Sequence, residues 1–481
     1  MNIPSRGNSA ERGATLLLTL VVTGLIVFLL AAYLGLVQHQ SGANFRSQSW
    51  NSAMPVVEAG IEEALQHLNK NGATNGNLAT DGWKGGGSTF TITRAQGDAF
   101  YSVTIRDFYV GTISNRPLIE SKGYVTAPLV LGSVQGALLA SVSGSGEAHY
   151  LGRGVRVRTR QDFIFSRGMV ARDSIDMNGN NIRSDSFDSS DPLYSTNGAY
   201  NPLWFKDNGD IAVNASLTNS LNIGNADIWG HVSVGPSGTI AVGSKGAIGS
   251  STWHDSGKGG TQPGWTADDM NVSFPDVTPP FSSGGIGGAS GGWITNKTTG
   301  VATYYDYILD SGNYQMVSMH GTVYVRGAAT VYVTDSLDIS GLTIESGAGK
   351  LNLYSSASSV SLVGNTPVNG SGNAADFAFW GLPSVKDIKF SGNAAFIGTI
   401  YAPNAEFTLN GGGKEIIDFI GSSITKTVRM NGHFNFHYDE ALRRFGPVRG
   451  YIVDSWNEMT PSEVPQLNLS SVAASADAVS P

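Results

Sequence analysis

The chain of 481 residues contains no cysteine. That excludes disulfides, thiol nucleophiles and cysteine-ligated zinc, and leaves stability to a packed core and backbone ladders. Charge is sparse as well, with Asp, Glu, Lys and Arg making up 14% of residues and a formal net charge of −8. Binding nucleic acid needs clustered Lys and Arg to neutralise phosphates, so this balance excludes that class of partner. No phosphate-cradling glycine loop, nucleotide fingerprint or Ser-His-Asp order occurs. Glycine, by contrast, is abundant at 62 residues. Sparse charge with many glycines is the profile of an exported, turn-rich β protein, and the length leaves room for two or three domains.

The longest uncharged run starts just after Arg6 and Arg12, at Gly13-Ala14-Thr15-Leu16, and continues to Val37. A helix of ~20 apolar residues spans the ~30 Å of a bilayer's hydrocarbon. A cleaved secretory signal is a poorer fit, because its apolar core is only ~7–15 residues long. A plain signal anchor fits equally well by length. Basic residues ahead of the span keep the N-terminus cytoplasmic and export the remainder. Further on, Ala53, Val57, Ile61, Leu65 and Leu68 recur at helical spacing, with Glu58, Glu62, Glu63 and Lys70 on other faces. The pattern predicts one long helix over 14–69, apolar all round at first and then one-sided.

The basic leader, Gly13-Ala14-Thr15-Leu16, the apolar run and the stretch Val57-Glu58-Ala59-Gly60-Ile61-Glu62-Glu63 together resemble the N-terminus of type IV pilins. The closest resemblance is to PilX-like minor pilin leaders, and it covers about the first 70 residues. It implies a leader over 1–13, processing between Gly13 and Ala14, a helix motif at Glu58, Ala59 and Gly60, and other pilin-like subunits as partners. Counted from Ala14, the position where major pilins carry a glutamate is Leu18 here. That departure fits a minor, tip or initiating component better than a shaft subunit.

Asn71-Gly72, Asn75-Gly76 and Gly85-Gly86-Gly87 mark a loop or hinge over 69–88. Strands over 89–93, 101–105 and 118–125 alternate apolar and polar, which predicts a small β-rich pilin-like domain over 70–167. Arg156, Arg158 and Arg160 share one strand face, either a basic stripe for headgroups and acidic partners or, preferably, a solvated face. From 168 to 443 short β-branched strands alternate with Gly, Asn and Asp. That texture predicts a mainly β fold with a parallel β-helix, interrupted by a proline- and glycine-rich excursion over 251–317; a β-sandwich is the alternative. Asn410-Gly411 and Asn431-Gly432 read as equivalent corners of successive turns. This last block, ending in His437-Tyr438-Asp439-Glu440, resembles the β-helical region found behind PilX-like leaders in bacterial surface proteins. From 444 to 481 a tail is expected, disordered from about Pro461.

Two groups of residues could carry chemistry. His437 with Asp439 and Glu440 could bind a metal or move protons, but no further histidine stands at motif spacing, and a capping network closing the solenoid is preferred. Asp173, Asp176, Asn178, Asn180, Asp185, Asp188 and Asp191 offer oxygens to calcium, yet lack the EF-hand spacing, and turn chemistry accounts for them equally. No catalytic residue, cofactor or metal is therefore expected. The expectation is a non-enzymatic, single-pass inner-membrane protein with its bulk periplasmic, extracellular or pilus-associated. Its partners are pilin-like subunits, the membrane and a surface or carbohydrate ligand, with adhesion or assembly as its task. The alternative is an exported, membrane-tethered β-helical polysaccharide lyase or hydrolase, which would need facing carboxylates in a groove.

Overall fold

The computed structural model describes residues 9–70, 75–108, 116–126, 149–177, 182–281, 289–296, 299–364, 368–411, 417–445, 448–464 and 467–468. The protein is mainly β, with an apolar N-terminal helix. It divides into two compact units, Met1–Gln161 with Arg449–Pro481, and Asp162–Val448.

In the first unit, helix α1 (Ser9–Asn69) runs unbroken through Pro55. Strands β1 (Lys84–Gly86), β2 (Thr89–Gln96), β3 (Ala99–Arg106), β4 (Leu118–Thr126) and β5 (His149–Phe163) pair antiparallel in chain order. Their alternation puts one apolar row opposite the helix. Ile92 pairs with Val103, and Phe90 and Ile119 both pair with Ile105, with Val157 next along the row. These side chains bury against Ala53, Val57, Ile61, Ala64 and Leu68, so the helical stripe read in the sequence is covered by the strands behind it. Leu65 is only partly buried.

Two expectations for this unit change. The segment 69–88, read as a hinge, folds back: Lys70 and His67 both reach Asp81, at 3.1 and 2.8 Å, and Leu78 and Trp83 are buried. More consequentially, the expected tail over 444–481 contains the strand Val448–Glu458, which lies alongside β5. Val448, Tyr451, Ile452, Val453 and Trp456 have the β-branched and aromatic content of a strand, and a β5 edge left open would expose unpaired backbone groups. Met459 and Val464 then bury against Phe100 and Tyr124. Residues 469–481, most of the stretch expected to be disordered, lie outside the described residues.

The second unit winds parallel strands around one apolar core. Its register is followed most easily along one inward column: Tyr314, Val331, Leu353, Phe379, Ile400, Ser423, Met169, Ile211 and Val232, each paired with the next. Spatial order is not chain order. Strand β6 (Met169–Asp176) and strand β7 (Arg183–Phe187) begin the unit in sequence, yet stack on Ile417–Gly432 and Phe434–Asp439, which end it. The last strands of the unit therefore pair with its first ones at a seam inside the sheet. Parallel pairing throughout this main sheet is incompatible with the hairpins of a β-sandwich; the one antiparallel strand pair described in the unit, Gly292–Thr295 with Ala302–Tyr305, lies outside it. Asn410-Gly411 and Asn431-Gly432 stand in register, and Asn431 Nδ2 donates to Asn410 Oδ1 at 3.0 Å.

The excursion is shorter than the expected 251–317. Gly260–Thr261 and Thr266–Ala267 still pair within the stack, and Gly312–Val325 already belongs to it. Strands of two residues leave little pattern to read, which is why prolines dominated the reading. Of the link between these strands, residues 270–281 lie against an outward column formed by Tyr332, Tyr354, Trp380, Tyr401 and Ile424. Met270 and Val277 bury there, and Tyr401 Oη donates to the Pro275 carbonyl at 2.8 Å.

Candidate functional site

Gly13 and Ala14 both fall within α1. From Leu16 the helix contains a stretch long and apolar enough to cross a membrane, none of it buried within the protein. Leu18, at the departure from the pilin pattern, is among these exposed side chains. The motif further along divides by face: Glu58 is exposed, Ala59 half-buried and Gly60 buried. A Cβ on Gly60 would collide with Ser121 Oγ and come within 2.9 Å of the Tyr101 ring. On the facing strand, a Cβ on Gly123 would meet Val57 N at 2.8 Å and Ala53 O at 2.9 Å. Helix and sheet thus approach through two residues without side chains, and Ser121 Oγ fills the remaining gap by donating to the Val57 carbonyl at 2.8 Å. Glu63 adds a polar clasp, accepting from Tyr101 Oη at 2.7 Å and Arg94 Nε at 3.1 Å. Gly60→Val should cost ~1–3 kcal/mol through overpacking and lower the melting temperature of the first unit. A melt unchanged from the parent would show that the helix does not seat here.

The basic face at Arg156, Arg158 and Arg160 is largely neutralised. Arg156 donates to Glu120 and Glu463 at 2.9 and 3.0 Å, and Arg160 stands 3.7 Å from Asp454. Interstrand charge pairing of this kind accounts for Arg156 and Arg160, while Arg158 is exposed to solvent.

The densest polar centre lies at the seam of the second unit, on Phe434–Asp439 and β7. Register sets His437 opposite Asp185. Their side chains meet at 2.6 Å from Nδ1 to Oδ1, both buried. The other ring nitrogen stands 3.4 Å from Asp418 Oδ1, and Tyr200 stacks on the imidazole at 3.6 Å between centroids. Tyr200 Oη donates to Asp185 Oδ2 at 3.0 Å, and Arg183 Nε stands 2.7 Å from the same oxygen. The Arg183 guanidinium is itself held between the Phe205 and Trp229 rings, at 4.1 and 4.3 Å. Burial opposes the imidazolium of His437, but the Asp185 carboxylate, seconded by Asp418, outweighs it and raises the His437 pKa.

The neighbouring motif residues have separate partners. Tyr438 is fully buried and donates to the Phe165 carbonyl at 2.8 Å. Asp439 Oδ1 accepts the amides of Ser189 and Ala441, both at 3.0 Å, and burial raises its pKa. Glu440 accepts from Lys206 at 2.6 Å, Asn208 at 2.7 Å and Ser186 at 2.8 Å. The histidine is thus bonded to carboxylates from other strands rather than to Asp439 or Glu440. The centre also does not close the stack, as a cap would, because β7 continues beyond it. Asp185 lies 252 residues from His437, and no local spacing signals that pairing.

The acidic stretch is likewise committed to nearby groups. Asp188 takes Arg444, Asp173 takes Arg172, and Asp176 accepts from Asn222. Asn178 and Asn180 lie outside the described residues, among which no cluster of His, Asp and Glu could hold a metal ion.

Comparison with known proteins adds little to this picture. A family model described as a domain of unknown function (DUF7305) matches residues 295–445, a run that ends just beyond His437 and Glu440. No curated protein matches the chain. Among solved structures, the competence-associated pilin ComZ from Thermus thermophilus is similar at 12% identity, over 85% of this chain and 97% of that one. Its TM-score is 0.28, at which the likeness carries no argument.

Proposed function

We propose that the protein is a non-enzymatic, pilin-like, membrane-anchored component of a type IV pilus or related assembly, and that its second unit is a parallel β-helix serving adhesion or assembly. One observation carries the reading: α1 is uncovered over its apolar first half and covered by its own antiparallel sheet over 53–68. A bare apolar half requires a bilayer or the helices of neighbouring subunits, because water is costly to it. The β-helix is supported by the single inward column that passes through successive parallel windings. The non-enzymatic part rests on the seam, where His437, Asp185 and Glu440 are all buried and bonded to one another's neighbours.

The leader provides the test. Prepilin peptidase should cut between Gly13 and Ala14 and leave the apolar helix attached, which intact-mass measurement on membrane-extracted protein reads directly. Retention of Met1 to Gly13 in cells with active peptidase would remove the pilin reading. Loss of the whole run to Val37 would remove the anchor itself.

A further inference from the structure

Between β7 and the next winding, the segment over 188–206 contains the same four-residue unit twice. Asp191-Pro192-Leu193-Tyr194 and Asn201-Pro202-Leu203-Trp204 each form a tight turn. In both, the first side chain accepts the amide of the leucine at 2.9 Å, and its backbone carbonyl accepts the amide of the aromatic residue at 3.0 Å. A paired bridge between Thr196 and Ala199 joins the two turns, and Asn201 Nδ2 donates to Thr196 Oγ1 at 2.9 Å. Lys206, two residues beyond the second turn, places its ammonium 4.8 Å from the Tyr194 ring of the first, so the turns form one surface. Both ends of the segment are fixed, by Arg444 on Asp188 and by Glu440 on Lys206.

This rigid scaffold presents apolar side chains to solvent. Leu193 and Leu203 are 74% and 81% exposed, and Tyr194 and Trp204 are 37% and 44% exposed. We propose that these twin turns are a membrane-contacting surface, with the leucines entering the acyl boundary of a lipid bilayer and the two aromatic rings lying at headgroup level.

Three observations favour lipid over other partners. Asp191 Oδ1 and Asn201 Oδ1 already hold backbone amides, and the outermost side chains are the leucines, more exposed than the rings beside them, which suits acyl chains better than the flat face of a sugar. The segment's one cation, Lys206, is paired with Glu440, which leaves no free positive charge for an acidic ligand. The apolar tips sit on convex turns, each with an amphipathic ring next in sequence, and that is the chemistry of an interfacial anchor. The proposal rests in part on the anchoring reading, since a chain held at a bilayer meets lipid at a raised effective concentration.

Because the chain has no cysteine, Leu203→Cys in the full-length protein creates a single site for an environment-sensitive fluorophore. The labelled chain in amphipol is compared with the same chain in nanodiscs of neutral phosphatidylcholine and after addition of phosphatidylcholine vesicles, and Val363→Cys, also exposed, serves as the control position. Emission from position 203 should rise and shift to the blue, while position 363 stays unchanged. In unlabelled protein, Leu193→Ala with Leu203→Ala should weaken vesicle association by about tenfold or more, with the thermal melt intact. No response at 203 overturns the proposal. A response that follows protein concentration without vesicles also overturns it and assigns the turns to a second copy of the chain. Failure of the chain to stay in nanodiscs counts against the anchor alone, and the vesicle titration is then read on the free protein.

Discussion

Ile400→Asp should unfold the second unit at physiological temperature. Ile400 is fully buried in the inward column, between Phe379 and Ser423. A carboxylate there would have no partner, and the cost of burying it is several kcal/mol, about half or more of the ~5–15 kcal/mol that stabilises a domain. The damage spreads, because a strand that cannot pair leaves open edges on the strands either side. Glu406, on the same strand and outward in the pattern, is the matched control: Glu406→Gln should move the melt by no more than ~0.5 kcal/mol equivalent. Equal melts for the two variants would mean that the inward and outward faces are assigned the wrong way round.

The second large effect is expected at the seam. His437→Leu leaves Asp185 buried without its 2.6 Å partner, and breaking a buried pair from one side costs ~3–5 kcal/mol. Removing both charges, with Asp185→Leu added, should recover part of that loss, and the shortfall from additivity measures the pairing. pH provides an independent reading. The His437 pKa is raised in the folded protein, so its contribution is fully present below the ordinary histidine value of about 6.5. It is lost as pH rises from there through the folded pKa. Denaturant melts of the parent should therefore weaken over that window, and His437→Gln should flatten the dependence. A parent whose stability does not fall as pH rises above that ordinary value would show that the imidazole is buried neutral.

Features written into adjacent residues are legible in a sequence, and those that depend on distant partners are not. The helical stripe from Ala53 to Leu68 and the alternation in β2 and β3 were legible, because a period of 3.6 or 2 is written into adjacent residues. Asn410-Gly411 and Asn431-Gly432 were legible for the same reason, as a repeated corner. The stacking of β6 and β7 on the last windings was not, since nothing in Met169 or Arg183 specifies a partner some 250 residues away. The strand Val448–Glu458 was obscured by the proline, serine and alanine that follow it, although Tyr451, Val453 and Trp456 carry its pattern. His437, Asp439 and Glu440 were read as one centre from their adjacency, whereas each bonds elsewhere. Of the twin Asx-Pro-Leu-aromatic turns only Asp191 falls within the acidic stretch, and the repeat of the unit at Asn201 shows only when the two are set side by side.

The position of the seam also constrains the order in which the chain can mature. A polypeptide leaves the ribosome from its N-terminus, so β5 and β6 emerge long before the segments that complete them. Strand β5 waits for Val448–Glu458, and β6 waits for Ile417–Gly432. Both units are thus completed by segments far downstream in the chain. A product truncated before about residue 417 would carry two unsatisfied strand edges, which are templates for aggregation and marks for proteolysis. A protease that attacks open strand edges would then discriminate finished from unfinished copies without a dedicated signal.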